Sequence, residues 1–202
     1  MNMSIEQRVQ LVESLFSQLE FESAQFNKLS GLGCAAGCGK CCTYPNVEAS
    51  PLEFLPWAFN LFINDEAENM LLKLAENKSS TCMIYKSLTV FGGGRCSDYK
   101  FRGLICRLFG SAANTDKYGI LRLATCKIIK EGQAENYNST SLAIEKGMKI
   151  PIFTEYYMQL NQIDFQMANQ IVPVNLALKM AIEEVLQYYS YRPLNSADKL
   201  CS

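Results

Sequence analysis

Histidine is absent from all 202 residues of the chain. Its absence excludes Ser-His-Asp and Cys-His catalysis, the two-histidine zinc protease motif, and zinc fingers that mix cysteine with histidine. A surplus of one charge is also missing. Nineteen basic and twenty acidic residues leave a formal net charge of −1 at pH 7, so no global field draws in nucleic acid or anionic lipid. No apolar run reaches the length needed to cross a bilayer, and we expect no membrane partner. The opening stretch MNMSIEQRVQLVESLF carries Glu6 and Arg8 inside its apolar pattern and lacks a compact apolar region before a cleavage site. It does not read as a secretory signal. The expectation is a cytoplasmic chain, in a compartment that keeps thiols reduced.

What the sequence does hold is cysteine. There are nine in all, and in a reducing compartment that number argues for metal or catalysis over disulfides. Eight fall between positions 34 and 126: Cys34, Cys38, Cys41, Cys42, Cys82, Cys96, Cys106 and Cys126. Cys201, near the end of the sequence, reads as the spare. The first group, CAAGCGKCC, has gaps of three and two residues before an adjacent pair. Gaps of that size let a tight turn aim several thiolates at one point, as zinc knuckles and iron–sulfur loops do. Gly37 and Gly39 flank Cys38 and permit backbone angles that turn amide N–H groups toward a charged sulfur. Ala35 and Ala36 keep the loop small. In an extended segment Cys41 and Cys42 point to opposite sides, so one of the pair can serve a second centre or pack as a small hydrophobe.

The remaining sequence supplies a wrapping for this group. An apolar share of 49% suits one domain over 1–202 with a real core. Ile5, Val9, Val12, Leu15, Phe16, Leu19 and Phe26 recur at helical spacing and predict a helix over 4–28, ended by Gly31 and Gly33. Ser50, Pro51 and Glu53 form a capping box at a second helix, which Pro56 should kink or restart. Residues 65–77 predict a third. From Cys82 to Ile129 short apolar pieces (TCMIY, LICRLF, GILRLATCKII) read as short strands or extended segments. Helical spacing returns in STSLAIEKG, from Pro151 to about Gln170, and from Val174 to Tyr189. The expected fold is mainly α: helices packed around an irregular cysteine-rich metal-binding core with a few short strands. Residues 34–126 form that core, and 1–30 and 139–192 wrap it.

CAAGCGKCC, then CMIY, CSDY, FRGLICRLF and Cys126 together resemble the CxxCxxCC cysteine-cluster family, a zinc- or iron-chelating domain. Cys96, Tyr99, Arg102, Cys106, Arg107 and Phe109 fall on the family signature C-x-x-Y-x-x-R-P-x-x-C-R-x-F. The chain departs from the pattern in its first gap of three residues, in Gly103 where proline is usual, and in a longer loop, with FGGGR, between Cys82 and Cys96. The resemblance implies metal or cluster binding.

Several thiolates on one metal leave net negative charge, which Arg102 and Arg107 are placed in the sequence to offset. Arg95 reads as solvated. Tyr85 and Tyr99, each three residues after a cysteine, read as packing walls. The carboxylates Glu6, Glu13, Glu20, Glu183 and Glu184 read as solvated helix positions, and no acid–base pair points to a substrate. The favoured function is metal binding, with an iron–sulfur cluster, [4Fe–4S] first, or zinc on a cysteine-only ligand set, and a redox or iron-related role. Two alternatives stay open. One is a zinc-stapled module whose C-terminal helices bind a protein partner. The other is a cluster-dependent enzyme using S-adenosylmethionine, for which FGGGR would line a pocket.

Overall fold

Ser4 starts the first helix. Its hydroxyl accepts the Gln7 N–H at 3.2 Å, and its own N–H donates to the Gln7 side chain at 2.9 Å. This reciprocal cap satisfies two donors that a helix start leaves open. Helix α1 (Ile5–Ser30) then runs to Gly31, whose φ of 66° closes it with an N–H bond to the Asn27 carbonyl. The structure is a computed structural model and describes residues 3–34, 37–88 and 93–192. Along α1 the residues Ile5, Val9, Val12, Leu15, Phe16 and Leu19 are buried, the apolar stripe that the 3.6-residue period sets on one face.

A two-residue strand β1 (Glu48–Ala49) precedes the capping-box segment. Pro51–Phe54 is a 3-10 turn, and Pro56 lies in the first turn of α2 (Leu55–Ile63). Pro56 therefore restarts the helix, at a position where its missing N–H costs nothing. Helix α3 (Ala67–Glu76) follows close to its expected place. Strands β2 (Tyr85–Leu88) and β3 (Gly93–Cys96) form an antiparallel hairpin with Tyr85 opposite Cys96. LICRLF departs from the extended expectation, because α4 (Leu104–Leu108) is helical there. The cause is remote in sequence: Glu53 accepts the Ile105 N–H at 3.1 Å and caps this short helix from another element.

A second hairpin pairs β4 (Ala113–Thr115) with β5 (Leu121–Leu123). Helices α5 (Lys127–Gly132), α6 (Ala134–Glu145), α7 (Phe153–Ile163) and α8 (Phe165–Ala168) come next. Strand β6 (Val172–Pro173) pairs antiparallel with β1, and α9 (Val174–Tyr189) completes the described chain. The structure is 60% helical with a few short antiparallel strands, a mainly α fold. No described helix is long and apolar enough to cross a membrane.

Two apolar clusters organise the molecule. The larger joins α1, α2 and α9 around Trp57, Phe54, Leu178 and Ile182, and Cys82 and Cys96 pack against its edge. The smaller gathers Phe26, Leu32, Leu123, Ile129 and Ile144, with Cys126 against it. Thiols thus sit on both cores.

The carboxylates are less solvated than their helical positions suggest. Arg8, 7% exposed, donates at 2.7 Å to Asp164 and at 2.7 Å to Glu184. Glu6 accepts from the Tyr189 hydroxyl. Both contacts tie α1 to the C-terminal helices, a tertiary use that helical spacing cannot reveal. Arg8→Met leaves two carboxylates without their cation. It should lower stability by about 2–3 kcal/mol, toward the low end because Glu184 is partly exposed. Urea denaturation reads this directly, and an unchanged midpoint would show that the pairs contribute nothing.

Candidate metal centre

The cysteine loop is held at both ends. Gly33, next to Cys34, is clamped by the Gln133 amide: the Gly33 N–H donates to Gln133 Oε1 at 3.1 Å, and Gln133 Nε2 donates back to the Gly33 carbonyl at 2.7 Å. Asn136 Nδ2 donates to the Gly31 carbonyl at 3.1 Å. These anchors come from the start of α6, and no local pattern around Gln133 announces them. Ala35 and Ala36 lie outside the described residues.

Beyond them the loop lies on the β2–β3 hairpin. Gly37 and Gly39 adopt φ of 72° and 56°, left-handed values that disfavour a side chain. The Gly94 N–H donates to the Gly37 carbonyl at 2.9 Å. A Cβ on Gly39 would stand 2.5 Å from the Gly94 carbonyl oxygen, and one on Gly93 would stand 2.7 Å from that of Gly37. A Cβ on Gly94 would collide with the Tyr85 ring. Gly39 and Gly93 are therefore needed for backbone-to-backbone approach between strand and loop, and Gly94 leaves room for the Tyr85 ring. That is a packing role for the described part of FGGGR; Phe91 and Gly92 lie outside the described residues. Tyr85 acts as the expected wall. Tyr99 does not, since it is 62% exposed with the Arg102 guanidinium 3.7 Å from its ring centre.

Each distal cysteine has its own fastening. Cys82 sits in a turn closed by the Tyr85 N–H, which donates to the Cys82 carbonyl at 2.9 Å. Asn175 of α9 secures that turn, accepting the Met83 N–H at 2.8 Å and donating to the Thr81 carbonyl at 2.8 Å. Cys96 ends β3, two residues before Asp98, which accepts from Trp57 Nε1 at 2.9 Å. Cys106 lies in α4, whose start is pinned by the wholly buried Glu53. Burial raises the Glu53 pKa above the ordinary carboxylate value. Cys126 stands at the N-cap of α5. Asn175, Trp57, Gln133 and the second role of Glu53 escaped sequence reasoning. A lone acid in the apolar run SPLEFLPWAF was the one usable signal.

The thiols gather without S–S bonds among the eight. Cys34 hydrogen-bonds Cys38 and lies in electrostatic reach of Cys41 and Cys126. Cys42 donates to Cys41 and feels Cys106 and Cys82. Cys106 feels Cys82, Cys41 and Cys96. Among the described residues, no three such side chains already stand close enough to close on one ion. Burial pushes the Cys82 thiol up to about 11 and the Cys106 thiol up to about 12, with neighbouring thiols adding to the shift. Cys34 and Cys96 are raised by burial as well. Cys41 moves the other way, because Cys42 donates a hydrogen bond to it. Buried sulfurs of this kind favour the neutral thiol until a cation arrives to stabilise the thiolate.

The two arginines differ. Arg107, 7% exposed, donates through Nε to the Arg102 carbonyl at 2.8 Å, and its other nitrogens reach Glu20 and the Lys100 carbonyl. It braces the loop against α1, with its guanidinium 4.4 Å from the centre of the Phe16 ring. Glu20, which the helical pattern left in solvent, is its partner. Arg102 stands in electrostatic reach of Cys41 and Cys96, and its buried Nε has no hydrogen-bond partner. Arg95 is exposed, as expected. A cleft of about 390 Å³ between α1 and α2, lined by Glu13, Phe16, Phe59 and Lys100, includes Arg107 but none of the eight cysteines.

The residues present fit a thiophilic metal. The cysteine ligand set is all sulfur, and Cys34, Cys42 and Cys106 each lie in electrostatic reach of two or more other thiols. Arg102, whose buried Nε has no hydrogen-bond partner, lies in electrostatic reach of Cys41 and Cys96. A fold that fastens eight reduced cysteines in this way is of the metal-chelating, cysteine-cluster class. The chain belongs to the CxxCxxCC family, described as "Putative zinc- or iron-chelating domain", whose model matches residues 33–139, just over half of the sequence. No curated protein and no solved structure matches the chain.

Gly103, in the proline place of the family signature, keeps a φ of −63°, close to the angle proline fixes. A Cβ there would stand 2.8 Å from the Phe54 ring, so the packing of the Pro51–Phe54 turn accounts for glycine.

The loop-to-hairpin contact is testable. Gly39→Ala should lower stability by about 2 kcal/mol, through the left-handed φ and the collision with Gly94, and should lower metal content with it. Gly33→Ala, with open space around its Cβ, should stay within about 0.5 kcal/mol of the parent. Equal metal content and equal denaturation midpoints for both variants would show that the contact does not matter.

Proposed function

We propose that this protein holds an iron–sulfur cluster, [4Fe–4S] first, on a cysteine-only ligand set drawn from Cys34, Cys38, Cys41, Cys42, Cys82, Cys96, Cys106 and Cys126. It serves a redox or iron-related role. The observation that carries the reading is the group of eight cysteines without S–S bonds, brought near one another by the loop docked on the β2–β3 hairpin, in a chain with no histidine to offer in their place. Arg102, through its free Nε, balances charge beside Cys41 and Cys96, whereas Arg107 holds α4 and the 100–102 loop in place. The chain works as one domain in the cytoplasm, residues 34–126 forming the centre and 1–30 and 139–192 its wrapping. It acts without nucleic acid or membrane.

Zinc is the second reading, and the same donors favour it: four thiolates make a closed structural site. Under that reading the C-terminal helices serve a protein partner. The packing of Gly93 and Gly94 against the cysteine loop weighs against an S-adenosylmethionine pocket built from FGGGR.

Anaerobic purification separates the two metals at once. An iron–sulfur protein is brown, with broad absorption toward the blue end of the visible and acid-labile sulfide. A colourless protein with stoichiometric zinc would overturn the cluster reading. Cys38→Ala and Cys106→Ala should each lose metal and stability, while Cys201→Ser, outside the described residues, should change neither. Equal metal content in all three would show the ligand assignment to be wrong.

A further inference from the structure

We propose that the eight cysteines form two separate four-thiol centres of unequal accessibility. The outer is built from Cys34, Cys38, Cys41 and Cys126, the inner from Cys42, Cys82, Cys96 and Cys106. This rests on the thiolate–metal reading above and goes further, because it divides the ligands and gives the two centres different work.

The division begins at the adjacent pair. Cys41 and Cys42 lie in a 3-10 turn, Lys40–Thr43. With three residues per turn, neighbouring side chains point about 120° apart, so they cannot readily face one ion. Cys41 is exposed and Cys42 half-buried. Cys42 lies in electrostatic reach of Cys82 and Cys106, and Cys82 in turn lies in electrostatic reach of Cys96. Cys34 lies in electrostatic reach of Cys38, Cys41 and Cys126. Cys41 stands at the seam, also within reach of Cys106; its exposure and the four-ligand requirement place it in the outer set.

The scaffolds divide along the same line. Cys126 packs on the small cluster of Phe26, Leu32 and Leu123, and Cys34 follows the Gly33 clamp from Gln133, between α5 and α6. Cys82 and Cys96 pack on the main core, and Cys106 lies in the helix that Glu53 caps. A metal in each place draws together thiols that the chain has already brought near.

Accessibility assigns the roles. Cys34 and Cys41 are exposed and Cys38 and Cys126 half-buried, while all four inner cysteines are half-buried. Solvent and competing ligands reach the outer centre first. It exchanges metal, and the inner centre keeps its own and fastens α4 and the β2–β3 hairpin.

Cobalt(II) is a suitable probe, because tetrahedral thiolate cobalt has its own visible absorption whichever metal is native. The full chain, stripped of metal and kept reduced, is titrated with cobalt and then challenged with EDTA. The wild type should saturate at about two equivalents, one lost quickly and one slowly. Cys126→Ser should keep only the slow equivalent. Cys82→Ser should keep only the fast one, and Cys96→Ser repeats that arm. Because loss of the inner centre can unfold the chain, the Cys126→Ser arm decides: the slow equivalent it retains also reports an intact fold. Saturation of the wild type at one equivalent, abolished in Cys126→Ser, would overturn the division while leaving metal binding intact. Two equivalents leaving at one rate would overturn the unequal roles. A wild type that binds no cobalt would instead sink the underlying metal reading.

Discussion

Backbone lies against backbone where Gly37 and Gly39 meet Gly93 and Gly94, and the rest of the arrangement depends on that contact. A Cβ at Gly39 has no room beneath the Gly94 carbonyl, so four glycines bring a loop with left-handed turns onto the face of a short hairpin. Cys96 stands opposite Tyr85 at the open end of the hairpin, and Cys82 precedes Tyr85 at that same end, so docking the loop brings Cys41 and Cys42 within electrostatic reach of the distal thiols. Helices then fix the partners. Asn175 holds the Cys82 turn, Trp57 holds Asp98 beyond Cys96, and Glu53 holds the helix of Cys106. Single hydrogen bonds are worth about 1 kcal/mol; here they act together, each on a segment too small to bury much apolar surface.

That construction leaves sulfur in a poor environment for a free thiolate. Burial raises the thiols of Cys82, Cys96 and Cys106; neighbouring thiols press Cys82 and Cys106 further in the same direction, and the Asp98 carboxylate does so for Cys96. A soft cation reverses the balance, since it stabilises several thiolates together and links loops that helices alone only border. The described thiols are grouped but not closed on a point. On the reading proposed above, the chain supplies proximity and a metal completes the convergence.

The sequence made the helices legible and the short connections illegible, for a physical reason. Helix α1 and its Gly31 stop, the Ser50–Glu53 box and α9 all rest on spacing and caps within a few residues, which a single chain displays. Helix α4 does not, since its cap comes from Glu53, on the far side of the hairpin in sequence, and LICRLF alone shows no helical period. The eight cysteines were visible as a set because spacing, residue type and family signature agree. Their fastenings by Gln133, Asn175 and Trp57 were not, because a polar side chain reaching across the fold leaves no periodic trace. The same limit explains Glu6, Glu20 and Glu184: each holds a helical surface position, and each is engaged by a group from another element.

The central claim is that sulfur from this chain, and nothing else from it, binds the metal. X-ray absorption at the edge of the bound metal in the anaerobically purified protein tests it most directly. Sulfur neighbours at about 2.3 Å, with no nitrogen or oxygen shell, are the predicted result. Nearest neighbours dominated by oxygen or nitrogen would contradict it.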